Sequence, residues 1–319
     1  MIRSAPIDVL GFSITELLLA TALALLLITA TISVTMQGTR LSQQLRLRNE
    51  VFEAGRYVIN RMDDAISHAG FYGQLDLADT TSTVKADLCT GITTNAIRNT
   101  LNFPLDGLDN VAVNHNICNA ERVLAESDIL LIRHADRVPL DVSQPLTAAQ
   151  HYIQALGDRY IVDTGANAAA FSLRQKDNKT MAKIRAWQQV IYYVSENNVF
   201  KRRRLIRGVY SASEPLAEGV DDFQIMYGIA RLNNTSDITQ GQIVDFVSLP
   251  ASVDDWENIV AIKYYLLMSS SENSRVLLTN KSYSYGDKSA VTFNDNKKRR
   301  LFFGYTRLRN TVTARRNNG

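Results

Sequence analysis

The sequence predicts an α+β fold: one long N-terminal helix packed on a mostly antiparallel β-sheet, with large surface insertions. Three observations carry this. An apolar run from Leu17 to Met36 passes without a proline into an amphipathic stretch that reaches residue 68. The second half of the chain holds short apolar or alternating segments separated by turn residues. Between these regions lie stretches rich in Asn, Thr, Asp and Ala.

The apolar run comes first. Leu17 to Met36 is 20 residues without a charge, the length a helix rising about 1.5 Å per residue needs to cross roughly 30 Å of hydrocarbon. It exceeds the core of a cleaved secretory signal, and Gln37-Gly38-Thr39-Arg40 follows it in place of a small-residue cleavage site. An uncleaved anchor, or one processed ahead of the run, fits better. Beyond it, Leu45, Phe52, Ile59 and Ile66 recur every seven residues, with Leu41 and Met62 at complementary offsets. This predicts one apolar stripe that packs on a domain of the same chain. A helix over residues 12–68 would reach about 85 Å, with Gly38 and Gly55 as its weak points and Gly70 and Gly73 ending it.

The body reads as strands. Asp128 to Arg133 ("DILLIR") is a short apolar run, and Gln189–Val194 and Val199–Ile206 flank "SENN" as a hairpin. Further strands are expected at Phe223–Ala230, Val260–Met268 and Leu301–Leu308. Alternation in "IKYYLLM" and "LFFGYTRL" fits an antiparallel sheet with one covered face. Residues 75–125 and 136–185 are expected as surface insertions.

Cys89 and Cys118 are the two cysteines, and they enclose 28 residues. In an exported domain they would form a staple that stabilises by about 3 to 4 kcal/mol; two buried thiols, or a zinc site with His115, are the alternatives. Catalytic patterns are weak. His68, His115, His134 and His151 are scattered, and no nucleophile elbow, phosphate loop or H-E-x-x-H occurs, so no enzyme, cofactor or metal is expected. The acidic doublets at 63–64, 221–222 and 254–255 lack calcium-loop spacing and read as solvated faces. The net charge of +3, from 35 basic and 32 acidic residues, is too small to imply a nucleic-acid partner. Two basic runs, "KRRR" at 201–204 and "KKRR" at 297–300, leave DNA contact open against charged strand edges that discourage pairing.

At the head of the apolar run, Gly11 is followed by Phe12, Ser13, Ile14, Thr15 and Glu16. This resembles the prepilin cleavage and methylation motif of type IV pilins and type II secretion pseudopilins. The resemblance implies cleavage between Gly11 and Phe12, N-methylation of Phe12, and a role for Glu16 in assembly. A charge in a membrane span is costly and marks a pairing function; the natural partner is the Phe12 amine of an adjacent subunit. "EAGRYVINRM" and "AGFYG" within residues 53–73, "LAEGVDDFQIMYG" at 216–228, and the C-terminal "RRLFFGYTRLRNTV" resemble the PilW branch of minor pilins. Residues 75–185 carry no such resemblance.

The resemblance implies a division into a leader (1–11), a transmembrane half-helix (12–36), an amphipathic half-helix (37–70) and a globular domain (71–319). The helix and domain would then have the pilin-like architecture. It also implies an initiation, priming or tip role in a type IV pilus, with adhesion and twitching motility as the processes served. Its partners would be other minor and major pilins, the prepilin peptidase, the inner-membrane assembly platform and membrane lipid. The protein would sit in the inner membrane with its domain in the periplasm, then reach the cell surface. Arg40, Arg46 and Arg48 after the apolar run would by themselves favour a cytoplasmic domain, so this orientation rests on the cleavage motif. The alternatives are a large type II secretion minor pseudopilin, an adhesive or DNA-binding tip module, and a plain membrane-anchored periplasmic protein.

Overall fold

A computed structural model describes residues 13–76, 88–89, 93–141, 144–230, 242–274 and 281–310. Helix α1 (Ile14–Ser67) runs unbroken for 54 residues, about 81 Å. Its first half touches nothing, and the most apolar 18-residue window has 0% of its residues buried. Hydroxyls along it are satisfied within the helix: Thr21, Thr29, Thr31 and Thr35 donate to carbonyls three or four residues back. These four threonine hydroxyls therefore need no partner from lipid.

After α1 come a short helix, α2 (Thr94–Asn99), and strands β1 (Leu105–Leu108), β2 (Asn116–Ile117), β3 (Glu121–Arg122), β4 (Ile129–Ala135), β5 (His151–Leu156) and β6 (Arg159–Thr164). These are followed by β7 (Ile184–Val194), β8 (Val199–Ile206), β9 (Val209–Tyr210), β10 (Glu214–Glu218), β11 (Val220–Ala230) and β12 (Ile243–Val247). A short helix, α3 (Val253–Glu257), precedes β13 (Ile259–Asn273), β14 (Ser282–Tyr285), β15 (Lys288–Thr292) and β16 (Lys297–Arg307). The fold is α+β, the long helix lying on antiparallel sheets.

There are two main sheets. In the larger, β7 is the hub: β4 and β8 pair with its C-terminal half, and β5 with its N-terminal end. The smaller sheet has the order β12-β11-β13-β16. The two meet where the Asp128 N–H donates to the Phe223 carbonyl at 2.9 Å and the Ile225 N–H donates to the Asp128 carboxyl at 2.7 Å. The principal core joins α1 to inward residues of both sheets, among them Leu130, Tyr192, Phe223, Tyr264 and Phe302.

The segments expected as insertions do more than decorate the surface. Residues 151–164 form the β5–β6 hairpin, which extends the larger sheet and encloses its own core around Ile153, Val162 and Trp187. Leu88, Val111, Ile117 and Val123 cover the back of that sheet. Leu130 and Ile132 of β4 face the principal core, whereas Ile129 and Leu131 pack into a separate cluster with Ile117, Val123, Ile191 and Tyr193. The larger sheet is thus covered on both faces rather than one. This explains why "DILLIR" is continuously apolar instead of alternating.

The apolar stripe of α1 also lies differently from expectation. Its buried residues are Leu47, Val51, Gly55, Val58, Met62 and Ile66, spaced by fours and one three. Leu41 and Leu45 are exposed, and Phe52 and Ile59 are half-buried flanks. Gly55 belongs to the stripe because the sheet fills its missing side chain; it is a packing notch and not a weak point.

Candidate assembly site on the N-terminal helix

Ser13 is the N-cap of α1, in extended conformation, and its side chain accepts from the first turn. Glu16, the third helical residue, reaches back so that its carboxylate accepts the Ser13 N–H at 3.1 Å. This reciprocal capping box satisfies helix-end donors, and the carboxylate sits at the positive end of the helix dipole. Glu16 therefore has a structural role in the single chain while remaining exposed at the tip of the span. Gly11 and Phe12, the expected processing residues, lie outside the described residues, as does the rest of the leader.

The other end of α1 is clamped by the C-terminal strand. A Cβ on Gly55 would stand 2.2 Å from Cζ of Phe302, so the phenyl ring rests directly on the helix backbone. Two residues on, Gly304 makes room for the Tyr264 ring, whose Cζ would be 2.1 Å from a Cβ there. The Tyr264 hydroxyl donates to the Ile59 carbonyl at 3.0 Å and to the Asp63 carboxylate at 2.8 Å, and Thr306 donates to the same carboxylate. At the helix C-terminus the Asn310 amide donates to the carbonyls of Ser67 and Ala69, groups that have no partner inside the helix. "AGRYVINRM" and "FFGYTRLRN" are the two halves of one clamp.

The third segment, "LAEGVDDFQIMYG", forms the turn into β11. Gly219 has φ +72°, and a Cβ there would meet the Ser269 carbonyl oxygen at 2.4 Å. Asp221 accepts from Arg299 at 2.6 Å and Ser269 at 3.0 Å, and Asp222 accepts from Tyr285 at 2.8 Å. This doublet is thus tied into a packed junction rather than solvated, and so is Asp63 of the first doublet, whereas Asp64 is exposed to solvent. Asp64 lies 3.7 Å from Arg137. Asp255 of the third doublet caps α3 through Ser252.

The first basic run is committed to the protein itself. Arg202 binds both oxygens of Glu214 at 2.9 and 2.7 Å, Lys201 pairs with Glu121, and Arg203 donates to the carbonyls of Ser211 and Ile117. Strand β8 is also no sheet edge, since β7 and β10 flank it. The run pairs with carboxylates and carbonyls of its own domain; it is not an edge guard. The second run opens β16, which is an edge of the smaller sheet.

Cys89 and Cys118 form a disulfide with Cα atoms 5.0 Å apart, stapling the segment that covers the larger sheet to its own core. His68 and His134 come together, ring centroids 6.3 Å apart, with the Arg137 guanidinium 3.1 Å from His68 Nε2. Burial holds His134 below the usual imidazole range. His151 is buried and His115 lies apart in a loop. No group of three or more His, Cys, Asp or Glu side chains able to hold a metal occurs among the described residues.

A membrane-length helix thus emerges bare, then locks through a glycine notch onto antiparallel sheets. Residues 191–310, which contain the end of β7, all of β8 and the whole smaller sheet, match the family model described as Type IV Pilus-assembly protein W. Among solved structures it is similar to a type IV-like pilin from Thermus thermophilus at 11% identity, covering 58% of this chain and 78% of that one with a TM-score of 0.29, a likeness too slight to carry an argument. No curated protein matches the chain.

Proposed function

We propose that this protein is a pilin, a minor subunit acting in the initiation, priming or tip complex of a type IV pilus. It is cleaved between Gly11 and Phe12 by a prepilin peptidase, methylated at the Phe12 amine, and held in the inner membrane with its domain in the periplasm until assembly. The observation that carries the reading is the bare apolar half of α1 with a carboxylate at its head. Helix surface left unburied by its own domain requires lipid before assembly and neighbouring helices after it.

In that setting Glu16 changes partners. In the single chain it caps the Ser13 N–H; in the fibre it neutralises the new amino terminus of an adjacent subunit. A subunit in the wrong axial register would leave both charges unpaired in an apolar bundle. The size of the domain, with its extra hairpin and disulfide-stapled cover, favours a tip or priming position over repetitive packing along a shaft.

Intact-mass analysis of the membrane-extracted protein tests the processing. Loss of residues 1–11 with one added methyl is expected, and an unaltered mass on coexpression with a prepilin peptidase overturns it. Glu16→Ala should still insert and be cleaved but be depleted at least tenfold from sheared pili, since about 1.4 kcal/mol of lost pairing already gives that factor. Incorporation at the level of the parent would refute the register role.

A further inference from the structure

We infer that the membrane-proximal corner of the domain is a docking site for an acidic side-chain cluster on a neighbouring subunit. A cavity of about 510 Å³ opens there, lined by Arg48, Val51, Lys281, Lys298, Arg299 and Arg300. Three separate pieces of chain bring these cations together: the helix, the start of β14 and the start of β16. Arg299 is spent on Asp221 and Asp295. Arg48, Lys281, Lys298 and Arg300 have no carboxylate partner among the described residues, although nearby carboxylates are engaged: Glu272 with Arg46 and Glu50 with the Ser271 N–H.

The site is built rather than incidental. The Arg300 guanidinium is stacked 4.9 Å from the Phe52 ring centroid and 5.4 Å from that of Phe302, so packing holds its planar fork in place. Val51, 4% exposed, lines the cavity alongside the cations. A preordered guanidinium beside three further cations suits carboxylates, which it can grip through two parallel hydrogen bonds.

Position selects the source of those carboxylates. Arg48 lies twelve residues beyond Met36, about 18 Å along the helix, whereas the headgroup layer is only about 5 to 7 Å deep. Lipid phosphate therefore falls short of the cavity. A nucleic-acid backbone needs an extended cationic track, and the adjoining Arg46 and Arg299 are already paired. A second subunit whose helix runs beside α1 places its own domain at this height. The inference rests on the pilin reading, but its test is independent of processing.

The test uses the full chain in neutral detergent and fluorescein-labelled hexaglutamate, followed by anisotropy. Saturable, salt-sensitive binding is expected, weakened about tenfold by Arg48→Gln with Arg300→Gln, as desolvated charge pairs are when one partner is removed. Because Arg300 also packs on aromatic rings, Lys281→Gln with Lys298→Gln provides a second pair that should weaken binding without altering the fold. Arg46→Gln, in a position outside the cavity lining, should leave binding unchanged. Absence of hexaglutamate binding, equal loss in Arg46→Gln, or tighter binding of a DNA oligonucleotide of equal charge would each overturn the proposal. The mass analysis above fails or succeeds separately, so the two readings can be told apart.

Discussion

The Gly55 notch makes a sharp quantitative prediction. Replacing glycine by alanine inside an exposed helix ordinarily stabilises it by about 1 kcal/mol through backbone entropy and propensity. At Gly55 the new methyl would lie 2.2 to 2.6 Å from three atoms of the Phe302 ring, far inside van der Waals contact. The ring cannot simply swing away: it is 8% exposed, belongs to the principal core and lies under the Arg300 guanidinium. Overpacking of this kind costs about 1 to 3 kcal/mol, so Gly55→Ala should lose all of the usual propensity gain and be destabilising by up to about 2 kcal/mol once that gain is subtracted.

Two further variants isolate the cause. Gly38→Ala, at a helical position with nothing within 4 Å of the added methyl, should leave the domain's unfolding midpoint unchanged. Phe302→Leu alone should lose about 1 to 3 kcal/mol through the emptied space, and combining it with Gly55→Ala should cost less than the sum, because the two positions are in contact. Urea unfolding of the full chain in detergent, followed by tyrosine and tryptophan fluorescence, measures each. If Gly55→Ala behaves like Gly38→Ala, or if the double variant is strictly additive, the notch account is wrong.

Other expectations concern the junction and the staple. Burial pushes the Asp128 carboxyl up to about 8 in spite of two backbone N–H donors. Its folded value lies above the unfolded one, so stability is fully present below about pH 4 and is lost as pH rises through about 8. Burial lowers His134 and His151, an effect of opposite sign confined to pH values below the usual imidazole range. Asp128→Asn, neutral at every pH, should therefore resemble the parent near pH 4 and gain on it as pH rises to about 8; parallel melting curves across that range would refute this. Reducing Cys89–Cys118, or replacing both by Ser, should cost about 3 kcal/mol on the loop-entropy model, read as a lower urea midpoint in the presence of a thiol reductant.

Much of this architecture is written locally. A membrane-length run, its Ser13–Glu16 cap and a proline-free continuation dictate one long helix, because hydrogen bonding and hydropathy act within a few residues. Strands at 128–133, 189–194, 199–206, 223–230, 260–268 and 301–308 were likewise legible from apolar runs and alternation, and each overlaps a strand of the fold, several of which run longer. Cys89 and Cys118, the only pair available, were legible as a bridge.

Long-range packing decided the rest. No local pattern makes glycine part of an apolar stripe, so the true face of α1 appears only when Phe302 arrives from 247 residues away to fill the Gly55 notch. Residues 75–125 and 136–185 read as polar insertions because their apolar residues are sparse and irregularly spaced. Only the fold shows that they extend the larger sheet and cover its second face. The two basic runs look alike in sequence, yet tertiary structure gives the first its carboxylates and leaves most of the second open beside Arg48. Charge is a property of residues, whereas which charges remain unpaired is a property of the sites where distant segments meet.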